Sequence, residues 1–506
     1  MDILSHLASG LGVALIPLNI ALLLLGCFAG TLIGALPGLG PVNGVVILIP
    51  LTFAFGLDAT SSLILLSSVY YGCMYGGRIS AILLNIPGDE PAMMTTLDGY
   101  PMARAGKASE ALAISAVASF IGATIATTGL TLFAPLLAQA AIYFGPADYF
   151  ALYIMAFATI GGLMGVDLRK ALLSAVVGLM IATIGLDPST GVARFTLGSY
   201  ELFDGFDLIV AMVGLFAISE VLVLLEHQLP ANTSGLRVTK LLPDWSAMRG
   251  TFAASLRGSG IGFVAGILPG AGASLGAVMS YSMEKQYSDR TGTFGKGDPR
   301  GVAAPEAGNN AASGGALIPM LALGVPGSGT TAVMLAMLVS LNVQPGPLLF
   351  ERSPDLVWGL VAALYLANVA LLILNVPMIG IFTTILRTPG WALMPVVVAI
   401  SIVGIYSLSR SVFDLYALLG FGLLGYLMRK LDISLVPLVL GLLLGTDMEN
   451  NLRRALSISA GDWSVLLHSP ISIGLYCLTA LFLAFSIWMS IRRNRRSSYQ
   501  PEGIEQ

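Results

Sequence analysis

The chain alternates long apolar runs with short polar breaks, and the runs are as long as a bilayer crossing. They fall near 15–36, 59–77, 110–132, 146–165, 168–186, 207–226, 251–268, 327–343, 354–376, 390–408, 411–428 and 468–491. A hydrocarbon core roughly 30 Å thick takes about 20 helical residues to cross, and only a helix or a closed barrel satisfies its own backbone there. The pattern predicts an all-α polytopic membrane protein with about 12 transmembrane helices. Five more stretches, 39–56, 78–88, 271–284, 311–326 and 433–446, are too short or too punctuated to cross comfortably. They are expected to form re-entrant hairpins or half-helices.

An internal repeat organises these elements. Gly34-Ala-Leu-Pro-Gly-Leu-Gly40 is echoed by Gly266-Ile-Leu-Pro-Gly-Ala-Gly272 at an offset of 232, and Gly76-Gly77…Ile86-Pro87-Gly88 by Gly314-Gly315…Val325-Pro326-Gly327 at 238 for the glycine pair and 239 for the Pro-Gly pair. Leu186-Asp187 and Leu431-Asp432 continue the series at 245. Matches in one order with a slowly growing offset indicate duplication. The expected organisation is a first transmembrane repeat over 1–226, a polar cytoplasmic linker over 227–250, a second repeat over 251–491 and a basic tail over 492–506. Placing Arg169–Lys170 and Arg429–Lys430 on the cytoplasmic side gives matching helices opposite senses, so the repeats read as inverted, with parallel repeats as the alternative.

Composition agrees and removes several function classes. Hydrophobic residues make up 56% of the 506 and charged residues 10%, too few to solvate a soluble surface. With a net charge of −3 and like charges clustered only at Arg492, Arg493, Arg495 and Arg496, nucleic acid is not an expected partner. The four arginines point to a cytoplasmic C-terminus. Cys27, Cys73 and Cys477 are far apart in apolar stretches, His6, His227 and His468 form no cluster, and no phosphate-binding GxxxxGK[ST] loop occurs. Residues 1–12 lack the basic start of a cleavable signal, so the first span, beginning near Pro17, reads as retained. Gly295-Lys-Gly-Asp298 matches the GxGD pattern of intramembrane aspartyl proteases but lies in a polar loop, where a catalytic aspartate could not reach a membrane helix.

The Pro-Gly breaks carry the chemistry. Proline removes a backbone donor and glycine admits conformations closed to other residues, so Pro37-Gly38 and Pro87-Gly88 should interrupt helices within the bilayer. Unpaired backbone groups survive at that depth only when buried in protein or lining an aqueous cavity, and helix N-termini there favour anions. The candidate substrate-binding set is Pro37, Gly38, Gly40, Asn43, Arg78, Asn85, Pro87, Gly88, Gly270, Gly272, Ser274, Asn309, Asn310, Ser313, Pro326, Gly327, Ser328 and Thr330. No catalytic residue is expected. Cations favour exposed carbonyls and carboxylates, and Glu306 with Asn310 is the candidate cation-binding place. Asp89, Glu90 and Asp98 read as capping carboxylates in a solvated loop.

The strings ALPGLGP, YYGCMYGGRISAILLNIPGD, TTLDGYPMARAGKASEALAIS, APEAGNNAASGGALIPMLALGVPGSGTTAVML and QPGPLLFE closely resemble the large membrane subunit of the tripartite tricarboxylate transporter family, the TctA-type permeases. The resemblance extends from about residue 15 to 490. It implies a permease of the bacterial inner membrane that imports di- and tricarboxylates on a sodium or proton gradient, with no other cofactor. It also implies two partners, a small four-helix membrane subunit (TctB-type) and a periplasmic solute-binding protein (TctC-type). By analogy with carriers of inverted repeats, a transport domain would move against a scaffold like an elevator. The competing readings are an intramembrane enzyme and a passive anion channel.

Overall fold

The computed structural model describes residues 3–36, 38–163, 167–226, 245–269, 272–377 and 394–497. Pro37, Gly270, most of the 227–250 linker and the end of the 492–506 tail lie outside the described residues. Helices stand on every apolar run: Pro17–Ala35, Ala59–Leu84, Ala108–Ala141, Pro146–Leu163, Leu168–Ala182, Leu208–Glu226, Trp245–Ile267, Gly329–Ser340, Pro354–Asn375, Met394–Ser409, Val412–Lys430 and Pro470–Ser497. Among the described residues, five helical segments are long and apolar enough to cross a membrane: Pro17–Ala35, Met93–Ala141, Leu208–Glu226, Pro354–Asn375 and Val412–Lys430. The Met93–Ala141 segment bends at Gly106, whose φ of 79° interrupts its regular geometry. A two-residue β-ladder, Gly185–Leu186 with Ala193–Arg194, closes the loop before Leu208.

Small residues decide which helices cross closely. Pro17–Ala35 lies on Ala59–Leu84 through Gly26, Gly30 and Gly34, and a Cβ added at Gly30 or Gly34 would stand 2.3 Å from the carbonyl oxygen of Val69 or Cys73. Trp245–Ile267 lies on Pro299–Gly315 through Gly258, Gly262 and Gly266, where added Cβ atoms would meet the oxygens of Ala304, Gly308 and Ala312 at 2.0–2.3 Å. Water-driven burial is weak between helices in lipid, so such backbone approach supplies the packing.

Several segments differ from the sequence expectation. The first residues form a helix, Ile3–Ala14, held on Pro354–Asn375 by Gly10 against Trp358 and by His6 stacked on the Trp358 ring at 5.3 Å. The helix that holds Glu306, Pro299–Gly315, begins at Pro299, because Asp298 accepts from Arg300 N and caps it. Residues 89–102 are not a solvated loop. They include the helix Met93–Met102, and Asp98 on it is fully buried. Asp98 accepts from the backbone N–H of Gly295, Gly297 and Asp298 at 2.8–2.9 Å and from the Tyr281 hydroxyl at 3.0 Å. The Gly295–Asp298 turn thus serves as a donor nest for a carboxylate.

Of the short segments, 39–56 and 271–284 fall on separate short helices, 311–326 covers the end of Pro299–Gly315 and the short Leu317–Leu323, and 78–88 is the end of the long Ala59–Leu84. Residues 433–446 are not a half-helix but open the 23-residue helix Val436–Ile458. Gly40–Ala54 and Gly272–Ser288 each start at a glycine in the left-handed region, with φ of 62° and 61°. Ala59–Leu84 ends at Asn85 with φ 59°, and Leu317–Leu323 ends at Gly324 with φ 69°. Asparagine and glycine are the residues that accept this geometry at a helix C-terminus.

Candidate functional site

The interruptions converge. A cavity of about 500 Å³ is lined by Gly38, Gly40 and Asn43 of one break, Pro87 and Gly88 of the second, Gly272 and Ser274 of the third, and Ser328 and Thr330 of the fourth. Five helices, Gly40–Ala54, Met93–Met102, Gly272–Ser288, Gly329–Ser340 and Val436–Ile458, have their first residue in its wall. The first-turn N–H groups of a helix have no intrahelical partner and carry partial positive charge, which suits an anion. At Gly329–Ser340 part of that capacity is used internally. Ser328 Oγ accepts from Thr331 N at 3.2 Å, and Ser328 N donates to Thr331 Oγ1 at 2.8 Å. Tyr70 and Met74 of Ala59–Leu84, Phe216 and Ile433–Val436 complete the wall.

Two charged residues that sequence reasoning passed over belong here. Arg429, used above only to orient the chain, lines the cavity and pairs with Glu220, which also accepts from Asn43 Nδ2 at 3.2 Å. Its signal was available: a cation ending an amphipathic helix next to a punctuated apolar segment.

Other nominated residues lie elsewhere. Asn85 is exposed and outside the cavity wall, shaped by its left-handed φ. Pro326 is buried, and Gly327 packs on Ala316, where a Cβ would come within 2.7 Å of its Cα. Arg78, Asn309, Asn310, Ser313 and Glu306 form a separate buried layer. Arg78 is wholly enclosed: Nε donates to Tyr75 O at 2.7 Å, Nη1 to Ser115 Oγ at 2.8 Å and Leu112 O at 3.3 Å, and Nη2 to Asn375 Oδ1 at 3.1 Å. Thr95 and Ser119 donate to the two oxygens of Glu306. Asn310 and Ser313 donate to carbonyls one turn back, Glu306 O and Asn309 O, each at 3.0 Å. Among the described residues no three His, Cys, Asp or Glu side chains gather as a metal centre.

A second cavity, of about 770 Å³, is lined by Tyr149, Tyr153, Arg194, Asp204, Asp447 and Arg454 among others. Three helices, Leu208–Glu226, Gly329–Ser340 and Val436–Ile458, line both cavities. Phe216, Thr330 and Val436 face the first, while Leu208, Leu335 and Leu442 face the second. At 1.5 Å per residue these levels are separated by roughly 8–12 Å. The layer between contains buried Met212, Leu215, Val333, Met334, Val439 and Leu440.

The model of the tripartite tricarboxylate transporter TctA family matches residues 20–440. The chain belongs to that family. Two Agrobacterium vitis proteins are also similar to this TctA-family chain. The "Uncharacterized 52.8 kDa protein in TAR-I ttuC' 3'region" is 38% identical over 502 residues, covering 99% of this chain and 100% of the relative. The "Uncharacterized protein in TAR-II ttuC' 3'region" is 38% identical over 234 residues, covering 46% of this chain and 97% of the relative. No solved structure gives a significant match. Family membership and the apolar helices together make the chain a multi-pass membrane protein of a transporter family.

Proposed function

We propose that the TctA-family chain is the permease of a three-part system that imports di- or tricarboxylates across a bacterial inner membrane, driven by a sodium or proton gradient. The observation that carries the reading is the meeting of the Pro-Gly interruptions and several helix starts around one cavity. Backbone N–H groups of those starts, the Ser328 and Thr330 hydroxyls and Arg429 supply the donors a carboxylate needs. Pro37 and Gly270 adjoin this set in sequence, and we keep them in it. The partners are a TctB-type membrane subunit and a TctC-type periplasmic binding protein, which the tripartite family description supports.

Two cavities separated by a packed apolar layer favour a carrier over a passive channel, since an open pore would join them. Matching glycine crossings at Gly26–Gly30–Gly34 and Gly258–Gly262–Gly266 support two repeats, which we read as inverted, with a cytoplasmic C-terminus and an elevator-like motion. The test is uptake of labelled carboxylate into vesicles holding the chain with both partner subunits, under separately imposed sodium and proton gradients. Gradient-dependent uptake with counterflow is expected. Counterflow failing while leakage is fast would make the protein a channel.

A further inference from the structure

Asp89 and Ser328 stand 239 residues apart, the same offset that relates Pro87-Gly88 to Pro326-Gly327, and they occupy matching places. Each caps the turn that follows it: Asp89 Oδ1 accepts from Ala92 N at 3.0 Å, and Ser328 Oγ from Thr331 N at 3.2 Å. Each faces a left-handed glycine across the cavity wall, a Cβ on Gly40 lying 3.7 Å from Asp89 Cβ and one on Gly272 lying 4.0 Å from Ser328 Cβ. Their chemistry differs. A hydroxyl can donate or accept, whereas a carboxylate only accepts.

That difference leaves oxygen unsatisfied. Asp89 is 9% exposed, and its Oδ2 has no hydrogen-bond partner among the described residues. Asn43, 5% exposed and in the same cavity wall, donates to Glu220 but leaves its own Oδ1 unpartnered. Buried acceptors without donors are strongly disfavoured, and a buried negative charge more so, unless a cation or proton meets them. Among the described residues Asp148 also keeps an oxygen, Oδ1, without a partner, but it lies outside this cavity, and the other buried carboxylates near the breaks are met. Glu306 has Thr95 and Ser119, Asp98 has three N–H groups and a hydroxyl, and Glu220 has Arg429 and Asn43. Gly77 makes room for the carboxylate, since a Cβ there would lie 2.8 Å from Asp89 Oδ1, while the residue 239 positions on is Ala316. Glu90, Glu306, Tyr70 and Cys73 are the titratable groups whose fields reach Asp89.

We infer that Asp89 binds a monovalent cation, sodium or the proton, with Asn43 Oδ1 as a second oxygen, and that this cation licenses anion entry into the cavity. Asp89 and Glu90 both line the space, and an incoming carboxylate meets their repulsion until the charge on Asp89 is neutralised. Cation and anion affinities are then linked reciprocally. The anion half rests on the transport reading above, whereas the cation half stands on Asp89 and its surroundings. It moves the ion from Glu306, whose oxygens are already engaged, to the hairpin.

The purified full-length chain separates these statements. Equilibrium binding of radioactive sodium is expected to be saturable and to weaken at least about tenfold in Asp89→Asn, less in Asn43→Ala, and not in Glu306→Gln. If the ion is the proton, sodium does not bind, and the infrared C=O stretch of a protonated carboxyl disappears in Asp89→Asn. Gly77→Ala, which crowds the carboxylate without removing it, should weaken either signal. Sodium binding that survives both Asp89→Asn and Asn43→Ala, or a chain showing neither signal, overturns the site. Uptake with both partner subunits tells the two failures apart. Absent uptake by wild type removes the transport reading and leaves the cation site to the binding result. Robust uptake whose gradient dependence is unchanged in Asp89→Asn removes the cation site alone.

Discussion

The hairpin cavity and the layer around Arg78 are both polar groups set inside an apolar protein, yet they are built to opposite ends. Around Arg78 the charged side chains have found partners: the guanidinium reaches four protein oxygens, and Glu306 is met on both of its own. At the cavity the carboxylate of Asp89 and the amide of Asn43 each keep an oxygen without a partner among the described residues, and helices begin at the wall; in the Arg78 layer the neutral Asn309 Oδ1 is also unpartnered, but no charged group is. Polar residues at membrane depth are therefore a poor guide to function by themselves. What discriminates is whether the protein completes the hydrogen bonds of its charged groups.

Breaking the closed layer should have the largest effect. Arg78→Ala leaves Asn375 and Ser115 without their donor and opens a cavity among buried side chains, and is expected to cost about 3–5 kcal/mol through the unmet acceptors and lost packing together. Thermal unfolding of the detergent-solubilised chain checks this, and an unchanged midpoint would mean the layer is not structural. Breaking the cavity should spare the fold and cost transport. Arg429→Gln is expected to lower initial carboxylate uptake about tenfold, or roughly 1.4 kcal/mol, at normal expression. Wild-type uptake would exclude Arg429 from substrate recognition.

A smaller effect is expected at the loop that grips Asp98. Burial pushes the Asp298 carboxyl up, but the paired Arg300, the Thr293 hydroxyl and Arg300 N–H outweigh it and hold the group below the ordinary range. A depressed folded value means this contribution is present above the unfolded value of about 3.9 and is lost as pH falls through the folded one. Hydrogen exchange of the 289–298 amides should stay slow at neutral pH and quicken only in strong acid. Quickening between pH 7 and 5 would contradict the assignment. The smallest effect is expected at Asn85. Because it is exposed and left-handed, Asn85→Gly should change stability and uptake by no more than about 0.5 kcal/mol, and a tenfold loss of uptake would return it to the site.

Periodicity alone placed a helix on each of the apolar runs, because bilayer thickness and backbone satisfaction leave few other solutions. The Pro-Gly breaks were equally legible, since proline and glycine act on the backbone where they stand. Side-chain roles were less so. Arg78, Asn85 and Asn310 sit beside breaks in sequence, yet Arg78 and Asn310 turn into a buried layer and Asn85 closes a helix. Arg429 and Glu220 lie far from the breaks in sequence and come to the cavity only through packing.

Local rules written in the chain thus determined the membrane as solvent, the helices, the points where they stop, and the family resemblance that the comparison bears out. Which of the interrupting residues would face one another, and which oxygens would be left unpaired, was decided by tertiary structure. Glycine crossings bring distant helices to backbone contact, and only that contact sets the partners a buried polar atom can reach.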